Sequence, residues 1–127
     1  MENQIVFNAT EISKPGFQAF VEFTPGAVAI FDRNMRHLAC SDGWLGEDHV
    51  RAIKREEEIG RNYYDVFPEV KAARKDWCEV YQKTLSGESI NRIADVFVRD
   101  DGEIHWINWK TKPWYDTSGE VGGIVIY

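Results

Sequence analysis

The residues able to do chemistry in this chain are few and scattered. Three histidines, His37, His49 and His105, stand far apart, as do two cysteines, Cys40 and Cys78. Neither set has the spacing of a zinc site or a CxxC pair, so the histidines read as surface or hydrogen-bonded residues and the cysteines as packing residues. No GxSxG, P-loop or HExxH motif occurs. The acidic runs Glu56-Glu57-Glu58 and Asp100-Asp101 read as a solvated helix face and a turn. Asp95 differs, because strand alternation sets it on one face with Ile93 and Phe97. Facing inward, a carboxylate there needs a partner or a ligand; a bulge or a one-residue shift would turn it to solvent instead. The aromatics Tyr63, Tyr64, Phe67, Trp77, Tyr81, Phe97 and Trp109 either fill a core or line a cavity that offers hydroxyls and an indole N–H.

The elements that must carry these residues follow from periodicity and turn chemistry. Ser13-Lys14-Pro15-Gly16 starts a short helix, and Phe17, Phe20 and Val21 make one apolar stripe on it. Ala27–Phe31 and the residues around Arg36–Cys40 read as two strands joined by a turn at Asp32-Arg33-Asn34. Residues 41–67 hold short helical pieces. A longer helix runs from Pro68 to about Ser86, closed by Gly87, with Ala73, Trp77, Val80, Tyr81 and Thr84 on one side. Three strands end the chain, over residues 89–99, 103–114 and 120–127, separated by Asp100-Asp101-Gly102 and Asp116-Thr117-Ser118-Gly119. The order predicts an α+β architecture, a five-stranded antiparallel sheet with helices on one face and an N-terminal flanking helix.

A chain of 127 residues forms one domain, here residues 17–127 preceded by an extension and helix start at 1–16. Its net charge of -6 argues against general nucleic-acid binding, since phosphates would be repelled. No apolar run reaches the roughly 18 residues that a membrane span needs. The N-terminus lacks the basic start and apolar core of a signal peptide, and two cysteines make no disulfide framework, so a cytoplasmic location is expected.

The ordered motifs resemble a PAS domain, the small sensory module of signalling kinases and cyclases. They are Ala29-Ile30-Phe31-Asp32, Ser41-Asp42-Gly43-Trp44-Leu45, the run from Ile59-Gly60-Arg61-Asn62 to Phe67-Pro68-Glu69, Leu85-Ser86-Gly87-Glu88, Arg99-Asp100-Asp101-Gly102, Trp106, Pro113-Trp114-Tyr115-Asp116 and Gly119–Ile126. The pattern is most similar to PAS modules of bacterial sensor histidine kinases and diguanylate cyclases. In those proteins the last strand runs on into an Asp-Ile-Thr-type motif and a linker to the effector. This sequence stops at Tyr127, which suggests a piece of a longer receptor. By analogy with light-oxygen-voltage relatives, Ile93, Asp95 and Phe97 point inward, with Ile107, Trp109, Thr111, Ile124 and Ile126. The implied ligand pocket adds Phe31, Tyr63, Phe67, Trp77 and Tyr81. Trp106 and Trp114 fall on the outer face, where the Phe17, Phe20, Val21 stripe or a second subunit would cover them, a candidate homodimer surface.

The resemblance does not extend to a known cofactor. Flavin photosensors carry a reactive cysteine where this chain has Tyr63 after Gly60-Arg61-Asn62, and Phe97 and Ile107 replace their flavin-holding asparagines. Chromophore-thioester sensors use a cysteine after a proline similar to Pro68, where Glu69 stands. Haem-binding relatives take a histidine from the long helix, and residues 69–87 contain none. The expected function is a non-catalytic sensory module that binds a small molecule between sheet and helices and relays the event to an effector. The alternative is a ligand-free PAS module that dimerises and passes on a neighbour's signal. A small enzyme on a cone-shaped α+β fold would want a His–Asp or Tyr–Asp pair in one cavity, and the sequence shows none.

Overall fold

The computed structural model describes residues 4–46, 54–98 and 102–127; the side chain of Phe97 lies outside the description, as do His49 and most of the Asp100-Asp101-Gly102 turn. Short pieces open the chain: β1 (Ile5–Val6), α1 (Ala9–Ile12) and α2 (Pro15–Glu22). A hairpin follows, β2 (Ala29–Asp32) and β3 (His37–Cys40). Asp32 shapes its turn by accepting from Asn34 N at 2.8 Å and Arg36 N at 2.9 Å. Five helices come next: α3 (Asp42–Leu45), α4 (Arg55–Glu58), α5 (Tyr63–Val66), α6 (Pro68–Ala73) and α7 (Lys75–Leu85). Three longer strands finish the fold: β4 (Ile90–Val98), β5 (Ile104–Tyr115) and β6 (Val121–Ile126).

The strand order is β3-β2-β6-β5, with β4 and β1 both on the far edge of β5. Five strands are antiparallel, as expected, but β1 joins in parallel and makes the sheet mixed. The reason is an open edge. Pairing of β4 with β5 stops at Thr111, which leaves the edge at Trp114 and Tyr115 for Ile5 and Val6. The expected long helix is also broken, at Arg74, whose backbone leaves the helical conformation. Apolar spacing continues through Val70, Ala73 and Trp77, so periodicity gave no sign of the break.

Each face of the sheet carries its own core. Helices α3–α7 cover one face with Phe31, Tyr63, Trp77, Val80, Tyr81, Trp109, Ile124 and Ile126 at the centre. The other face holds Ile12, Val21, Ile30, Ala39, Trp114 and Val125, covered by α1 and α2. Trp114 is the anchor there. Its Nε1 donates to Phe31 O at 2.8 Å, and Phe7 packs on its ring at 5.6 Å. The indole lies over Gly122 and Gly123 of β6, where an added Cβ would collide with it.

Candidate functional site

The interior assembles around aromatic rings on α5, α7 and β5. Rings follow one another from Phe67 to Tyr63 (5.1 Å), Tyr81 (5.2 Å), Trp109 (6.1 Å) and Trp77 (5.7 Å), with Phe31 on Tyr63 at 5.4 Å. Tyr63 and Tyr81 share a hydroxyl hydrogen bond of 2.8 Å. Thr84 of α7 donates to Val80 O, so Thr111 of β5 must donate to Thr84, at 2.6 Å. Ile124 and Ile126 close the floor, and Ile107 packs at the margin. The structure therefore brings together the pocket candidates Phe31, Tyr63, Phe67, Trp77, Tyr81, Ile107, Trp109, Thr111, Ile124 and Ile126; the side chain of Phe97 is outside the description.

Asp95 is the polar centre of this interior. Ladder pairing slips between Arg92 and Asp95, and Ala94 takes the left-handed backbone conformation. The bulge is therefore real, but it turns Ile93 outward, against the expected inward register, and keeps Asp95 buried. Asp95 Oδ2 accepts from both Trp77 Nε1 and Trp109 Nε1 at 2.8 Å. Its Oδ1 accepts from Arg74 Nη2 at 3.1 Å and stands 3.5 Å from Arg92 Nη2. Asp76 ties the two arginines from outside, at 3.0 Å to Arg74 and 3.1 Å to Arg92. Arg74 also lies over the Trp77 ring at 4.0 Å and donates to Val96 O at 2.6 Å. The break between α6 and α7 gives Arg74 this place.

The electrostatics follow from these bonds. Burial opposes ionisation of Asp95, but hydrogen bonds from Trp109, Trp77 and Arg74 and the charge of Arg92 outweigh it. Its carboxyl is held below the usual range. Hydrogen bonding from Arg74 holds Asp76 well below it too. Both groups are protonated more readily in the unfolded chain, so they stabilise the fold at neutral pH. That contribution is lost as pH falls below the unfolded value of about 4. Thermal unfolding between pH 7 and pH 3 is expected to show a falling midpoint, and Asp76→Asn a shallower fall.

A groove of about 440 Å³ opens beside the bulge, lined by Asn91, Arg92, Ile93, Asn108, Trp109, Lys110 and Tyr127. Two of these, Arg92 and Trp109, are partners of Asp95. Sequence reasoning singled out Asp95 and Trp109 but missed Arg74, Asp76 and Arg92. Arginine at 74 and 92 looks like surface charge until the break and the bulge aim both side chains at one carboxylate.

One expectation at the other end of the interior is corrected: Glu58 is buried rather than part of a solvated face. His37, read as a surface or hydrogen-bonded residue, is buried. Burial pushes His37 down to about 4, and burial with the nearby Glu58 charge pushes the Cys40 thiol up to about 11. His37 is thus a neutral imidazole and Cys40 a neutral thiol at pH 7. Cys40 packs in the core, as its sequence context suggested.

The outer-face candidates divide. Val21 is buried and Phe17 half-buried, packed 5.3 Å from Phe7 in the cover over Trp114. Phe20 leaves the expected stripe and is 75% exposed, and Trp106 is 69% exposed. Ile104 and Val98 flank Trp106 on the same open end of the sheet, also exposed.

The family model described as PAS fold matches residues 21–127. The chain belongs to the PAS fold family. It is thus a member of a family of sensory modules. No curated protein sequence matches it. Among solved structures, it is similar to one described as VqmA bound to DPO, with a TM-score of 0.66, 21% identity, and coverage of 85% of this chain and 53% of that one. A second is the PAS domain of Bordetella pertussis BvgS, with a TM-score of 0.56, 17% identity, and coverage of 87% and 78%. A third, a PAS domain from Colwellia psychrerythraea, has a TM-score of 0.61, 14% identity, and coverage of 85% and 87%. The chain spans about half the length of the VqmA chains it matches. At these identities the likeness shows the fold. Among the described residues, no helix of this PAS domain is long and apolar enough to cross a membrane.

Proposed function

We propose that this PAS domain is a non-catalytic sensory module that takes a small ligand at the Asp95 cluster and relays binding to an effector in the same polypeptide. The observation that carries the reading is the meeting of the open groove with Arg92 and Trp109. A small molecule with an acceptor or anionic group on an apolar ring would enter there and compete with Asp95 for indole and guanidinium donors. Loss of the Asp95 bonds would free the bulge and the α6–α7 junction, which gives ligand binding two arrangements to bias. The neighbour VqmA is described with DPO bound, which supports a small-molecule signal. Asp95, held ionised by three side-chain donors and the Arg92 charge, is a weak base, and this supports a role without catalysis. The effector is expected to be a histidine kinase or cyclase; the description of VqmA as a LuxR-type receptor adds a DNA-binding output to that range.

A ligand-free relay is the second reading, favoured by the internal partners of Asp95, Thr111, Tyr63 and Tyr81. A native mass spectrum separates the two. An added mass lost on unfolding supports the sensor, and a bare dimer that takes up no small molecule supports the relay.

Both readings use a homodimer built on exposed Phe20 and Trp106, since isologous pairing would cover them. Phe20→Glu and Trp106→Glu are expected to give monomers in light scattering with unchanged circular dichroism. Variants that stay fully dimeric would move the interface elsewhere.

A further inference from the structure

Three side chains outside the Asp95 cluster meet elsewhere in the interior. His37 begins β3, Cys40 ends it, and Glu58 ends α4. They are 1%, 1% and 3% exposed. One imidazole nitrogen, the thiol sulfur and one carboxylate oxygen all lie within 4.8 Å of one another. The backbone fixes this arrangement. His37 N donates to Arg61 O at 2.9 Å and Gly60 N donates to His37 O at 2.7 Å, so the segment after Glu58 is clamped to the start of β3. His37 Nδ1 stands 3.4 Å from Glu58 Oε2.

We propose that His37, Cys40 and Glu58 form a binding site for a transition-metal dication of the zinc type. The donor set selects the metal class: thiolate and imidazole suit zinc and its neighbours, whereas calcium and magnesium want oxygen. Charge favours the same ion. One thiolate and one carboxylate cancel a double positive charge, so the loaded site is neutral inside the fold. Geometry agrees as well. Two nitrogen or oxygen donors at about 2.0–2.1 Å from a tetrahedral zinc sit roughly 3.3 Å apart, close to the 3.4 Å between His37 and Glu58. The sulfur needs to close by about 1 Å. On binding, the Cys40 S–H bond breaks, sulfur bonds to the metal, and the proton passes to solvent. Three protein ligands leave a fourth position for water or a small donor. Arg55 adds no uncompensated charge nearby, since it pairs with Asp42 at 2.6 Å and Glu22 at 3.7 Å. The proposal does not rest on the sensory reading.

Cobalt(II) tests it, because a cobalt–thiolate bond gives a near-ultraviolet charge-transfer band. The purified chain, stripped by chelator, is titrated with cobalt and then zinc. One equivalent of cobalt is expected to raise the band, and one equivalent of zinc to abolish it. Cys40→Ser loses the band and Cys78→Ser keeps it. Glu58→Gln, which preserves volume, weakens zinc by roughly tenfold or more in chelator competition. Circular dichroism checks the fold of each variant, and the unmodified chain and Glu58→Gln decide the matter should Cys40→Ser not fold. Absence of a thiolate band in the unmodified chain overturns the proposal. So does a band that survives in Cys40→Ser and vanishes in Cys78→Ser.

Discussion

Asp95→Ala is expected to destabilise the domain by about 2–4 kcal/mol, chiefly the cost of leaving two buried indole donors without their acceptor. The substitution strands the indole N–H groups of Trp77 and Trp109 and removes the charge that faces Arg74 and Arg92. Asp95→Asn separates the two effects. Its amide oxygen can still accept from one or both indoles, while the arginines lose one of their two carboxylate partners and keep Asp76, so a smaller loss of about 1–2 kcal/mol is expected. Urea unfolding of the three proteins measures both. Near-UV circular dichroism should change in the alanine variant, because the edge-on packing of Trp77 and Trp109 depends on their common acceptor. A loss under about 1 kcal/mol for alanine would mean that the cluster is solvated rather than a buried polar centre.

Gly123→Ala is expected to destabilise by about 3 kcal/mol or more. The sign makes this informative. Glycine inside an ordinary strand costs roughly 0.5–1 kcal/mol relative to alanine, so an unconstrained position would gain from the change. At Gly123 the new Cβ would collide with Phe31 O and the Trp114 indole. Those two groups are joined by the 2.8 Å bond that seats Trp114 on the sheet. Neither can move without giving up that bond or the pairing of β2 with β6. Thermal denaturation measures the effect, and an unchanged or raised midpoint would show that Trp114 can slide aside.

Much of this fold could be read from residue patterns. β-branched runs and turn residues marked β2, β3, β4, β5 and β6; alternation put Trp109 and Thr111 on one face, and the resemblance to PAS relatives implied that this face is the inner one, where both are buried. Asp95 stood out because a carboxylate on an apolar face needs an explanation, and two indoles and two arginines supply it. Other features depend on contacts that a local pattern does not carry. β1 is two residues long and exists because the edge of β5 is open beyond Thr111. The break at Arg74 interrupts a continuous apolar stripe, and its cause lies on β4, where Asp95 and the Val96 carbonyl accept from the Arg74 guanidinium. Glu58 sits in an acidic run of solvated appearance and is buried because Gly60 and Arg61 pair with His37. Phe20 has helical spacing from Phe17, yet the stripe is narrower than it looks and turns toward Val21.

The account turns on whether the groove at the β4–β5 bulge admits a ligand to the Asp95 cluster. The most direct measurement is an NMR spectrum of the five tryptophan indole N–H signals, recorded while small aromatic acids and other compact acceptor molecules are added. Selective shifts of the Trp77 and Trp109 signals, reached at lower ligand concentration in Asp95→Asn, where the competing carboxylate is gone, are the predicted result. Shifts confined to exposed Trp106, or no shift from any compound, would contradict a sensing site at Asp95.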